Sequence, residues 1–263
     1  MKSSAQNQEF SGYGTYDISE KLDLTLPKTE IHIKRKPDNR ITYYRKNSEN
    51  QEITKSIPQS SKTAKIELCP ILPLHLPAKK THDLIFLRLA ESIFVEKNST
   101  ATIQFQFPIE IGVFVINSGD DSKDLFDCFT CEPMHSRFAL YGTPETGNLC
   151  MYSKVNLLEN DDDDNSSQPY IFAKMKLTLK NKLDRGVFVG KLVFPITHHM
   201  IYYGENSSEV HIDDIIGTIK LDTNKEILKI RLEKYSKRGK SWKQVLYSTS
   251  KNQTFFVMDK GFD

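Results

Sequence analysis

The sequence has no run of about 18 apolar residues, so no helical bilayer span is expected. The opening residues, MKSSAQNQEFSGYG, lack the apolar core of a secretory signal. Sequons at Asn98, Asn165, Asn206 and Asn252 therefore read as surface turns rather than glycan sites. Cysteine is sparse, with four in 263 residues, which suits reduced thiols in a cytoplasmic protein better than a disulfide scaffold. The net charge of +2 supplies no global field to draw in nucleic acid or a membrane. Catalytic signatures are missing as well. There is no Gly-x-Ser-x-Gly elbow and no His-Glu-x-x-His pair. No segment sustains the periodicity of a long amphipathic helix, and no repeat recurs at a fixed spacing.

What is present is alternation. From Ile103 to Val115 every odd position is apolar (Ile103, Phe105, Phe107, Ile109, Ile111, Val113, Val115). Successive side chains of a strand point to opposite faces, so this run predicts a strand with one buried face. Pro108 removes a ladder donor and Gly112 signals a bulge or a close backbone approach. The expectation is one long bent strand, or two short ones, at the centre of an all-β core. Similar patterns follow along the chain. Thr29–Lys36 and Arg40–Arg45 form a hairpin around Pro37-Asp38-Asn39. Asp83–Glu96 suits a buried helix or two strands, and its β-branched and aromatic content favours strands. Prolines 70, 73 and 77 mark an edge strand or crossover. Asp124–Cys131 reads as a turn of helix. Arg137–Gly142 and Leu149–Val155 bracket a loop. Tyr170–Lys180 is expected to pair with Gly186–Phe194, and Ile227–Tyr235 with Lys243–Ser248. Roughly 13 to 16 strands at close spacing describe a mostly antiparallel β-sandwich, or two packed β halves, with few or no long helices.

Composition divides the chain into a tail at 1–11, an N-terminal half at 12–158, an acidic loop at 159–169 (NDDDDNSSQP at 160–169) and a C-terminal half at 170–263, as two halves or as one continuous domain. Residues 1–169 carry 19 Lys/Arg against 24 Asp/Glu, and residues 170–263 carry 17 against 10. That asymmetry predicts two halves that attract each other.

Four motifs carry chemistry in principle. Cys128-Phe-Thr-Cys131 has the spacing of a zinc knuckle, with Cys69, Cys150 or His135 as further ligands. No second close cysteine pair completes it, so ordinary semi-buried thiols are the simpler reading and no cofactor is expected. Gly142-Thr-Pro-Glu-Thr-Gly147 has P-loop glycine spacing, but Asn148-Leu149 stands where Lys and Ser or Thr are needed, which leaves a tight turn. His198-His199, placed on a strand, would face opposite sides and could not share a site. Lys234–Lys243 (KYSKRGKSWK) sets basic residues around Tyr235 and Trp242, as a single-strand binder does. A solvated hairpin tip explains it as well, and a nucleic-acid partner is not expected. The loop within Arg137–Cys150 is the first place to look for a site, with Arg137, Tyr141 and Glu145 as ligand- or partner-binding residues, because loops on rigid β scaffolds carry binding function.

Phe107–Val115 (FPIEIGVFV), followed by Tyr141–Gly147 (YGTPETG) and Cys150, resembles a family of archaeal β-rich proteins of unknown function. Some members stand alone and others are fused to small mechanosensitive-channel domains. The likeness runs from about Tyr13 to Phe262. It implies an archaeal cytoplasmic protein and, from the fused members, an accessory or sensor module beside a membrane channel. It carries over no catalytic or ligand residue. The reading is a β-rich binding, sensory or interaction module rather than an enzyme, with a protein or small ligand as partner. The competing readings are a hydrolytic or metal-dependent enzyme using Cys128, Cys131 or His198/His199, and a weak polyanion binder through the basic C-terminal half at Lys234–Lys243.

Overall fold

The computed structural model describes residues 12–38, 40–47, 49–57, 64–73, 83–116, 122–132, 137–158, 168–235, 242–246 and 255–258. Among them are 21 strands and a single 3-10 turn, His198–Met200, which makes the chain all-β and mostly antiparallel. The tail at 1–11, His135, most of the acidic loop and the tip at 236–241 lie outside the described residues. No described helix is long and apolar enough to cross a membrane.

The first six strands are β1 (Gly14–Ile18), β2 (Lys21–Leu26), β3 (Thr29–Arg35), β4 (Ile41–Asn47), β5 (Glu52–Ile57) and β6 (Ala64–Ile71). Then come β7 (Leu84–Val95), β8 (Thr100–Pro108), β9 (Glu110–Ile116), β10 (Lys123–Phe129), β11 (Phe138–Tyr141), β12 (Asn148–Val155) and β13 (Leu157–Leu158). Past the acidic loop are β14 (Phe172–Asn181), β15 (Val187–Pro195), β16 (Ile201–Gly204), β17 (Val210–Ile212), β18 (Asp214–Asp222), β19 (Lys225–Glu233), β20 (Trp242–Gln244) and β21 (Phe255–Met258). They form four sheets. One has the order β1-β6-β9-β10, and a second is the meander β2-β3-β4-β5. A third, β11-β12-β7-β15, contains the parallel pair β12–β7. The fourth has nine strands: β8 lies along one edge of β14, while β17 and β18 follow each other along the other edge, both parallel to it. Strands from both sides of the acidic loop pair directly, β7 with β15 and β8 with β14.

The long alternating run is two strands in two different sheets. β8 ends at Pro108 and pairs with β14, while β9 begins at Glu110 and lies between β6 and β10. Ile109 is buried at the corner, and its N–H donates to Ile171 O at 3.0 Å. Gly112 marks a close approach rather than a bulge: a Cβ there would lie 2.6 Å from the ring of Phe114 and 3.0 Å from Ile71. Pro70 sits beyond the last rung that β6 shares with β1, Gly14↔Leu68, so on that side its missing donor breaks no ladder.

Other expectations need correction. Asp124–Cys131 is no helical turn. Its apolar residues complete sheet one as β10, with a register shift at Phe126. Asp83–Glu96 is one strand of 12 residues, not two. Gly186–Phe194 pairs with β7, not with β14. Ile227–Tyr235 and Lys243–Ser248 are not a hairpin: β19 pairs with β18 and β21, and β20 pairs with β16. Alternation identifies a strand but carries no information about its partner.

Two buried carboxylates pin the sheets together. Asp127 on β10 accepts hydrogen bonds from Tyr43 Oη at 2.8 Å, Arg45 Nε at 2.8 Å and Lys55 Nζ at 2.9 Å. The guanidinium of Arg45 also lies over the Phe129 ring. This network joins the meander to sheet one. Glu67 on β6 accepts from Tyr203 Oη at 2.7 Å and pairs with Lys123 at 2.5 Å, joining sheet one to the nine-stranded sheet. Tyr13, fully buried, adds backbone bonds to Ser207 O and from Asn206 N–H.

Burial alone would raise the Asp127 carboxyl, but hydrogen bonds from Arg45 and Lys55 outweigh it, and the net direction is down. Its contribution is therefore complete above about pH 4 and lost as the pH falls further. Asp127→Ala leaves Arg45 buried without its carboxylate. It should cost about 3–5 kcal/mol in urea unfolding at pH 7, and a loss below about 1 kcal/mol would show the network to be incidental.

Candidate functional site

A cleft of about 280 Å³ opens where sheet three meets the ends of β8 and β14. Its position follows from the corner at Pro108–Ile109. β8 stops there with Phe107 turned inward and Pro108 opposite Phe172. From sheet three come Ile85 and Met151, opposite each other in the parallel β7–β12 pair. Pro73 closes one side. Ile85 and Phe107 are buried, and Met151, Phe172 and Pro108 are half-buried, so the walls are apolar. Arg137, Phe138, Tyr152, Ser153 and Lys154 line the rest. Tyr152 N–H donates to Arg137 O at 2.9 Å, which fixes the backbone of Arg137 beside β12. The side chains of Arg137 and Lys154 are exposed, and among the described residues neither has an ion-pair partner. Two cations at the mouth of an apolar cleft are arranged to take a ligand with an apolar body and an anionic end.

Of the loop residues expected to bind, Arg137 lines this cleft. Tyr141 and Glu145 do not line it. Tyr141 is nearly buried, and Glu145 is exposed in the turn between β11 and β12. That turn is closed on itself. Gly147 N–H donates to Thr143 O at 2.7 Å, and the hydroxyls of Thr143 and Thr146 are 2.9 Å apart. The amide that a phosphate would need at Gly147 is thus already used, and a Cβ there would fall 2.5 Å from Thr143 O. Phe172 and Lys154 carry no warning in the sequence, because each comes from a different strand and only the sheet order brings them together.

All four cysteines are free. Burial pushes the thiols of Cys131 and Cys150 up to about 12 and about 11, and raises those of Cys69 and Cys128 as well. These are protonated thiols, poor as ligands or nucleophiles. Among the described residues no group of three or more His, Cys, Asp or Glu is placed to hold a metal. His198 and His199 lie in the 3-10 turn after β15, not on a strand. Burial, helped by the charge of His199, lowers His198 to about 4.

The segments that form this cleft fall within a single family match. A family described as "Protein of unknown function (DUF432)" matches residues 12–259. The chain belongs to that family. No curated protein and no solved structure matches it. The match takes in the cleft and all four sheets, so the whole architecture, and not one sheet of it, is the family's.

Two buried groups near the strand β16 titrate in opposite senses. His198 is held neutral, so its contribution grows as the pH rises from about 4 to 6.5, by about 3 kcal/mol in all. Asp213 is raised to about 6, chiefly by burial, so its contribution falls as the pH rises over the same range. In urea unfolding between pH 4 and 6.5, Asp213→Asn should steepen the rise of stability with pH relative to the parent chain. His198→Gln should flatten or invert it. Identical slopes in all three proteins would refute the assignment.

Proposed function

We propose that the chain is a non-enzymatic binding module whose ligand is a compact anion with an apolar body, held in the cleft between sheet three and the ends of β8 and β14. The observation that carries this reading is the pairing of apolar walls with two cations, Arg137 and Lys154, that have no described counter-ion. A planar guanidinium suits a carboxylate or sulfonate in bidentate geometry, while a lysine acts as a point charge. Tyr141 and Glu145 belong to the proposed site through the hairpin they share with Arg137: Tyr141 anchors it and Glu145 sits at its tip. In the cell, the resemblance to channel-fused archaeal proteins favours a cytoplasmic sensor or accessory role, with the ligand as its signal.

The test uses 1-anilinonaphthalene-8-sulfonate as the probe and decanoate as its competitor. Binding should be saturable and displaced by decanoate. Arg137→Gln or Lys154→Gln alone should weaken it by about 10-fold, the loss of one charge-assisted contact, and the two together by more. Met151→Trp, which fills the cleft, should abolish it while leaving near-ultraviolet circular dichroism characteristic of the fold. Unchanged probe affinity in Met151→Trp would place the binding elsewhere and sink the proposal.

A further inference from the structure

The outer face of the nine-stranded sheet carries a second arrangement, separate from the chemistry of the cleft. Register places five side chains in one row across five strands. Gln244 of β20 is opposite Tyr202, Tyr202 opposite His211, His211 opposite Lys174, and Lys174 opposite Gln106. Directly opposed residues share a face, and all five are half-buried, not covered.

Aromatic rings gather at one end of this row. Tyr235 follows β19, and its N–H donates to Asp213 Oδ1 at 3.0 Å. That bond lays its ring against His211, with centroids 4.3 Å apart and planes within 11°. Trp242 stands edge-on to both, at 5.0 Å and 5.4 Å. Tyr202 adds a fourth ring, 5.9 Å from Tyr235.

Cations continue from the aromatic end. β14 presents Lys174, Lys176 and Lys180 outward at alternate positions, and β19 presents Lys229 and Arg231. Carboxylates on the same face are fewer. Glu233 is ion-paired to Arg231, and Asp214 feels the charge of Lys176. A depression of about 210 Å³ opens beside Lys174 and His211, between Phe172 and Glu209.

We propose that this outer face binds single-stranded nucleic acid, with bases stacked at Tyr235, His211 and Trp242 and the phosphate backbone led along the lysines of β14. A row of cations leading up to stacked rings is the combination a single strand uses: basic side chains along the backbone and sequence-tolerant stacking. An open sheet face is also the surface on which splayed bases are commonly read. The proposal does not depend on the cleft, and the decanoate variants should leave it untouched.

The test is fluorescence anisotropy of a labelled oligothymidine of about 20 nucleotides, at salt from about 50 to 200 mM. Trp242 is the single tryptophan of the chain, so quenching of its emission by the unlabelled oligonucleotide reports stacking directly. Trp242→Ala should weaken binding about 10-fold, and Trp242→Phe should restore most of it. Lys174→Gln with Lys176→Gln should lower the slope of log affinity against log salt by about 1.4. Absence of binding at the lowest salt would overturn the proposal. So would binding that leaves Trp242 emission unchanged and is matched by heparin, which would reveal a polyanion surface without base stacking.

Discussion

The passage of one continuous apolar run from one sheet into another, at Pro108–Ile109, is the constraint on which the rest of the structure depends. Proline ends β8 because it has no N–H to donate. Ile109 turns the corner, buried, with its N–H given to Ile171 O. One residue later, at Glu110, the same chain enters the middle of a different sheet as β9. A protein built of strands has few ways to cover a sheet, and this corner supplies one: it links two sheets through covalent continuity rather than packing alone. The cleft opens at this corner, lined by Phe107, Pro108 and Phe172 at the ends of β8 and β14 and by Ile85 and Met151 of sheet three.

Beside continuity, buried carboxylates pin the sheets together, Asp127 at the meander and Glu67 at the nine-stranded sheet. Asp127 and Glu67 are both nearly inaccessible, and each takes a tyrosine hydroxyl and at least one cation from another strand. Such networks gain little over well-packed apolar residues. What they add is direction: a carboxylate with fixed donors admits one register between sheets, whereas interdigitated leucines and isoleucines tolerate several. The apolar side chains around them form one contiguous cluster running through all four sheets.

This division explains what could be read from the sequence. Strands were legible, because burial on one face imposes alternation on each strand separately. The β3–β4 and β11–β12 hairpins were legible for the same reason, with short turns to set the pairing. Partnership across long separations was not. β15 alternates just as well against β14 as against β7, and Lys243 lies near Tyr235 in sequence although β20 pairs with β16. Asp124–Cys131 failed differently: its extra residue at Phe126 breaks the alternation by which β10 would have been recognised. Of the residues proposed to bind in the cleft, Arg137 was visible from its loop, while Lys154, Met151 and Phe172 gain their meaning only from sheet order.

The charge asymmetry between the halves has a place in the fold. An excess of lysine and arginine beyond residue 169 suggested halves that pack with favourable polarity. Strands of the two halves pair directly, β7 with β15 and β8 with β14, and Lys174, Lys176, Lys229 and Arg231 point outward from the nine-stranded sheet. Its inner face is committed to the core by Ala173, Met175, Leu177 and Leu179, all buried. Period-two alternation leaves every second residue of β14 for the opposite face, and there the sequence places Phe172, three lysines and Thr178. That face also carries Glu209, Asp214 and Glu233, with Glu233 paired to Arg231, so its charge is mixed. What sets it apart is the line of lysines along β14 running up to the stacked rings of His211 and Tyr235, and that direction is the one an extended anionic chain would follow.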